Sequence, residues 1–84
     1  LKHKIAFEDA KDVFNDQDRI QYISDRDGER RYLTVGKAFQ AIIGVVYTTR
    51  DAIIRIISAR RSRRNERRAY LGNKFNKFKK KENE

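Results

Sequence analysis

The side chains best suited to chemistry are the arginines gathered in the last third of the chain. Residues 55–84 carry twelve basic and three acidic side chains, whereas residues 1–54 carry nine of each, so the formal net charge of +9 lies entirely in the final segment. A planar guanidinium group can hold two phosphate oxygens at once. Such a one-sided positive field predicts a polyanionic partner, which is nucleic acid, an anionic membrane surface or an acidic protein, unless the segment is only a solubilising tail.

Helical spacing groups these cations around one glutamate. Arg60, Arg64 and Arg67 stand at positions i, i+4 and i+7, which is one stripe if a helix starts early, and Arg63 and Arg67 form a second i, i+4 pair. Glu66 lies among them, where neighbouring cations would hold a general base ionised. A structural salt bridge is the alternative for this glutamate.

Proton transfer at neutral pH is a natural role for His3, the only histidine of the chain. The ordinary pKa of histidine is about 6.5, and the flanking Lys2 and Lys4 favour its neutral form, which suits a base. An exposed terminal histidine without a role is the alternative. The sequence therefore places one candidate base far from the arginine-rich segment.

Two further cations lie around the predicted third and fourth strands. Tyr47 and Arg50 stand at a strand end and in the following turn, where an aromatic beside a cation can stack a base and hold its phosphate. Alternatively, Tyr47 caps the core and Arg50 is solvated. Arg55 interrupts an apolar run and favours a cleft over a core, or else it protects an edge strand from aggregation. Strict alternation puts Arg55 on one face with Ile53, Ile57 and Ala59.

Hydrophobic periodicity predicts an α+β fold in one small domain over residues 1–78. An amphipathic helix is expected over 6–14, and four strands over 19–24, 30–36, 40–49 and 52–59 form an antiparallel meander. A C-terminal helix is expected over 62–71, with Ser62 as its N-cap and Gly72 as its stop. A second helical turn that carries Phe75 into the core then follows, and residues 79–84 form a basic, frayed tail.

The composition excludes several classes of protein. The chain has no cysteine, which excludes disulfides, zinc-thiolate sites and thiol nucleophiles. With one histidine, we expect no metal site, and without a Gly-rich phosphate loop we expect no cofactor. No apolar stretch has the length of a signal peptide or a spanning helix, so we expect a cytoplasmic protein that does not bind membranes.

Several segments in order resemble the BrnT family of type II toxins. They are KHKIAFEDA at 2–10, DGERRYLTVG at 27–36, VYTTR at 46–50, RIISAR at 55–60 and RNERRAY at 64–70. The resemblance implies a RelE-like fold, RNA cleavage without a metal, and neutralisation by a BrnA-type antitoxin that carries a DNA-binding domain. Operator DNA would then be contacted only through the antitoxin. Members of the family usually carry further residues before the Lys-His pair, where this chain departs from the pattern.

Metal-free RNA cleavage needs a base for the 2′-hydroxyl, cations for the transition state and an acid for the leaving oxygen. The side chains that we expect to take part in catalysis are Lys2, His3, Tyr47, Arg50, Arg64 and Glu66. Those that we expect to bind RNA are Arg55, Arg60, Arg63, Arg67 and Tyr70. The alternatives are a non-catalytic RNA- or DNA-binding module and an interaction protein whose basic face binds an acidic partner.

Overall fold

The computed structural model describes residues 5–82 and confirms the α+β class. The predictions for Lys2 and His3 therefore lie outside the described residues. Two helices flank one antiparallel sheet whose strands follow the chain order β1-β2-β3-β4. The elements are α1 (Phe7–Val13), β1 (Ile20–Arg26), β2 (Glu29–Ala38), β3 (Ala41–Arg50), β4 (Ile53–Arg61) and α2 (Arg64–Glu82).

Two of the three hairpins close through two residues in the left-handed region. Asp27 and Gly28 have φ of 53° and 78°, and Asp51 and Ala52 have φ of 53° and 67°. Positive φ at both turn positions matches the right-handed twist of the flanking strands. The middle hairpin turns at Phe39, whose φ is 56°. These short turns hold neighbouring strands in register and so fix which side chains meet on each face.

The main core lies between α1 and one face of the sheet. Ala10 and Val13 of α1 pack with Ile43, Val45 and Tyr47 of β3, and all five are buried. The helix has this orientation because its apolar residues recur at helical spacing with charged residues between them. The face of β3 and β4 that is turned away from α1 is hereafter the open face.

The second helix is attached to the loop between α1 and β1. The Tyr70 hydroxyl donates to Asp16 Oδ2 at 2.5 Å, and Asp16 also accepts the Lys37 and Asp18 backbone N–H groups at 2.8 and 2.9 Å. Burial alone would raise the pKa of Asp16, but these three hydrogen bonds bring the pKa below its usual value. Burial and the bond to Asp16 raise the pKa of Tyr70. Asn73 adds a bond to the Asp18 carbonyl at 3.3 Å.

Three predictions for the C-terminal region were wrong. The helix begins at Arg64 rather than Ser62, and it continues to Glu82 instead of stopping at Gly72. Tyr70 and Asn73 bond to the same loop from either side of Gly72, and such tertiary contacts outweigh the low helix propensity of glycine. Phe75 is 58% exposed instead of completing the core.

Candidate functional site

A β-bulge in β4 decides which side chains reach the open face. Val45 lies opposite Ala59, and Tyr47 lies opposite Ile56, so Ile57 is an extra residue without a partner in the register. Ala59 and Ile56 both pack against the main core. Because a bulge reverses the alternation beyond it, the residues paired with Val46, Thr48 and Gly44 share the open face. Those residues are Ser58, Arg55 and Arg60. Our expectation that Arg55 shares a face with Ala59 was therefore wrong.

Arg55 and Arg50 line a cleft of about 360 Å³ on the open face. Both guanidinium groups are exposed, and neither forms an ion pair within residues 5–82. Thr48, directly opposite Arg55, adds a hydroxyl to the wall. A third cation of the cleft, Arg30, is bonded to Asp25 at 3.0 Å. Two unpaired guanidinium groups and a hydroxyl can bind the oxygens of a phosphodiester.

Arg60 is engaged in an ion pair instead. Its guanidinium donates two bonds of 2.9 Å to the Glu66 carboxylate, which is buried. Gly44 leaves room for it, because a Cβ there would lie 3.4 Å from Arg60 Nη1 and 3.1 Å from Leu33 Cδ1. The first turn of α2 is therefore held against the open face.

Glu66 also caps α2. Its carboxylate accepts the backbone N–H of Arg63 at 2.8 Å, the residue just before the helix. The bonds from Arg60 and then from Arg63 hold the pKa of Glu66 below its ordinary value, although burial opposes this. A carboxylate held by three hydrogen bonds is not free to act as a base, so the structure favours the structural salt bridge over the catalytic role that we expected.

The arginines around the start of α2, which include the predicted Arg63, Arg64 and Arg67, remain exposed. Arg63, Arg64, Arg67 and Arg68 are all exposed, and no carboxylate in the described part of the chain pairs with them. The expected stripe of Arg60, Arg64 and Arg67 does not form, because Arg60 belongs to β4 and the helix starts only at Arg64. These four cations surround the start of α2, next to the end of β4.

Both tyrosines with predicted functional roles are core residues. Tyr47 is buried, stacks on Tyr32 at a centroid distance of 5.1 Å and meets the edge of Phe14 at 5.1 Å. Tyr70 is 1% exposed and binds Asp16. Neither ring has an open face on which a base could stack, so the core interpretation replaces our expectations for Tyr47 and Tyr70.

A second cleft, of about 310 Å³, was not predicted from the sequence. It lies at the β2–β3 hairpin and is lined in part by Ile5, Asp9, Phe39 and Arg61. Phe39 is 82% exposed and holds a positive φ that is costly for an aromatic residue. An aromatic residue in a predicted turn was the signal that could have indicated it. In the sequence, Lys2 and His3 stand three and two residues before Ile5.

The fold and the site define a class of small α+β proteins that carry unpaired arginines on an open sheet face. The chain matches, over residues 1–66, the family described as the ribonuclease toxin BrnT of a type II toxin-antitoxin system. It therefore belongs to the BrnT family. No curated protein and no solved structure gave a significant match. No helix in the described part is long and apolar enough to cross a membrane, and residues 5–82 hold no cluster of three metal-ligating side chains.

Proposed function

We propose that this protein is a metal-independent endoribonuclease toxin with a RelE-like fold, acting in the cytoplasm. The observation that carries this proposal is the bulge at Ile57, which turns Arg55 to the open face beside Arg50. Without the extra residue, alternation would bring Arg55 to the face that packs on α1. A bulge that redirects a cation to an open surface is a feature frequently found next to active sites.

In this proposal the arginines hold the RNA backbone along β4. Arg55 and Arg61 are separated by about 20 Å at the usual rise of a strand, so one phosphate cannot bind both. A single-stranded segment that follows β4 would meet Arg50 and Arg55 at one end. Arg61 lies opposite Ile43 and so points to the α1 side, which means that the RNA would bend around the end of β4 to reach Arg61 and Arg64. The exposed ring of Phe39 lies at this end, where a base could stack on it.

The chemistry is assigned to the end of β4 that adjoins α2. Arg64 would stabilise the charge that develops on the phosphorane-like transition state. His3 would take the proton from the 2′-hydroxyl, and Lys2 would assist in protonating the leaving oxygen. This assignment is supported by the cleft that Ile5 and Arg61 share, because His3 stands two residues before Ile5 in the sequence.

The partner in this proposal is a BrnA-type antitoxin with a DNA-binding domain, and operator DNA is contacted only through that antitoxin. Family membership supports an antitoxin as the partner class, because type II toxins are neutralised by a protein. Binding would also stabilise a small protein whose main core contains few buried side chains.

A non-catalytic RNA-binding module is the second candidate function. It is favoured by one observation, which is that Glu66, the one carboxylate that we expected to act in catalysis, is held in an ion pair. Binding alone requires only the cationic field.

One assay separates the two candidates. Partner-free protein is incubated with RNA in EDTA, and the product ends are analysed. Ends with a cyclic phosphate or a 3′-phosphate support metal-free cleavage, whereas intact RNA bound in a salt-sensitive manner supports the binding module. Protein with His3→Ala is the matched control for contaminating nucleases, because a contaminant would cleave RNA equally in both samples.

A further inference from the structure

The outer edge of β4 is an apolar surface that lacks a strand partner in the described part of the chain. The strand order places β4 at the end of the sheet. Its side chains at this edge include three isoleucines that are 68%, 48% and 43% exposed, namely Ile53, Ile54 and Ile57. Unpaired backbone groups beside exposed β-branched side chains form a template for an added strand.

This edge has little of the protection that isolated edge strands normally carry. Between Ile53 and Ser58, Arg55 is the only charge, and the bulge begins only at Ile57. The opposite edge differs, because β1 also exposes Ile23 but contacts α2 and contains Asp25. Of the two edges of the sheet, the β4 edge is therefore the one more exposed to aggregation unless a partner strand covers it.

The positive charge of β4 indicates which kind of partner fits its outer edge. β4 contains three arginines, Arg55, Arg60 and Arg61, and no acidic residue. Pairing two copies along this edge would bring these cations together in a chain whose net charge is already +9. RNA does not fit either, because isoleucine side chains offer no ring on which bases stack. A segment with both carboxylates and apolar side chains fits the edge.

We propose that an extended, acidic and apolar segment of the antitoxin adds to β4 as a fifth strand. Successive residues of an added strand point to opposite faces. Its apolar side chains would cover Ile54 on the α1 side, and its carboxylates would lie over Arg55 on the open face. The pairing would span Ile53–Ile56, because the bulge interrupts the ladder at Ile57.

This docking mode implies a mechanism of neutralisation, which rests on the proposed function for its occupant, the antitoxin, and for the RNA phosphate at Arg55. Carboxylates over Arg55 would displace the phosphate that this arginine is proposed to hold. Antitoxin binding and RNA binding would then exclude each other at the open face, although the antitoxin contacts the edge of the sheet.

The test measures the affinity of the full chain for its cognate BrnA-type antitoxin, by titration calorimetry. Ile54→Glu places a charge against the apolar side chains that would cover this position, and it should weaken the affinity by about tenfold or more. Ile23→Glu on the β1 edge is the matched control, an exposed isoleucine changed in the same way, and should leave the affinity unchanged. Thermal unfolding establishes that both variants fold, and Ile54→Thr replaces Ile54→Glu if the latter does not.

Hydrogen exchange on the unsubstituted protein gives a second readout. Amides of Ile53–Ile56 should become protected when the antitoxin binds, whereas those of β1 should not. Equal affinities for both variants, or unchanged exchange in β4, would overturn the proposal. A concentration-dependent dimer abolished by Ile54→Glu would also overturn it, in favour of a second copy. None of these outcomes depends on RNA cleavage, so the ribonuclease proposal stands or fails separately in the EDTA assay.

Discussion

Arg55 and Arg60 point to the same side of the sheet, although five positions separate them along one strand. An uninterrupted strand would place them on opposite sides, and the unpaired Ile57 removes that difference. The two arginines nevertheless differ in state, because Arg60 is bound to Glu66 whereas Arg55 has no carboxylate partner within residues 5–82. Arg60 therefore stabilises the fold, and Arg55 is available to a ligand.

Replacing Arg55 by alanine should therefore weaken RNA binding. The logarithm of the binding constant falls linearly with the logarithm of the salt concentration, and the loss of one phosphate contact makes this slope shallower by about 0.7 for single-stranded RNA. The measurement is a titration of RNA at several salt concentrations. Lys11→Ala removes the same charge from α1, on the other side of the sheet, and should leave the slope unchanged. Identical slopes for the two variants would mean that Arg55 makes no phosphate contact.

Arg64→Ala should reduce RNA cleavage strongly without loss of stability. The side chain is exposed and unpaired among the described residues, and a cation at the first residue of a helix opposes the helix dipole. We expect a change in the free energy of unfolding within about 0.5 kcal/mol and a fall in the cleavage rate of about a hundredfold. Denaturant unfolding and initial cleavage rates measure the two effects. Equal losses of both would make Arg64 a structural residue.

Glu66→Gln should destabilise the protein at neutral pH and much less in acid. The pKa of Glu66 in the folded protein lies below its ordinary value of 4.5, so the ionised carboxylate stabilises the fold above that pH. This stabilisation is lost as the pH falls through the lowered pKa. We expect a deficit of about 1–3 kcal/mol at pH 7, which closes progressively below pH 4.5.

Denaturant unfolding over a range of pH measures this deficit. The matched control is Asp25→Asn, which breaks the exposed ion pair with Arg30 and should not change the unfolding midpoint at pH 7. A deficit for Glu66→Gln that persists unchanged into acid would contradict the role of the charge and would point to lost packing instead.

Two glycine substitutions should have opposite effects on stability. Gly44→Val places a side chain against Leu33 and the Arg60 guanidinium, so it should cost about 1–3 kcal/mol by overpacking and by displacing Arg60 from Glu66. Gly72 lies inside α2 with open space around its Cα, so Gly72→Ala should stabilise the protein by about 1 kcal/mol. Thermal unfolding of both variants measures the effects. Stabilisation by Gly44→Val would contradict the close packing of Leu33 and Arg60 around Gly44 on the open face.

The strands and their hairpins could be predicted from the sequence because alternation and turn residues act locally. The Asp27-Gly28 turn lies between the first two predicted strands, and β3 differs from its prediction by one residue at each end. The bulge could not be predicted, because Ile56 and Ile57 have identical side chains and the choice between them depends on packing against α1. The continuation of α2 past Gly72 depends likewise on distant bonds to the α1–β1 loop.

The site was predicted less well than the fold. Charge placement located the arginines, which the structure leaves exposed at Arg55, Arg63, Arg64 and Arg67. Residue type alone could not tell whether a polar side chain was already satisfied by the protein. Tyr47 and Glu66 are suitable for catalysis by their chemistry, yet both are engaged in internal contacts, and those contacts exist only in the folded chain.

Asp16 joins the first loop to the last helix, and this link has a consequence for folding order. Every pair of neighbouring strands is consecutive in the chain, so the sheet closes through short loops at little entropic cost. The bond from Tyr70 to Asp16 spans 54 residues and can form only after α2 has been synthesised. The arginines around the start of α2 therefore reach their final positions last, after the strands that precede them can already have paired.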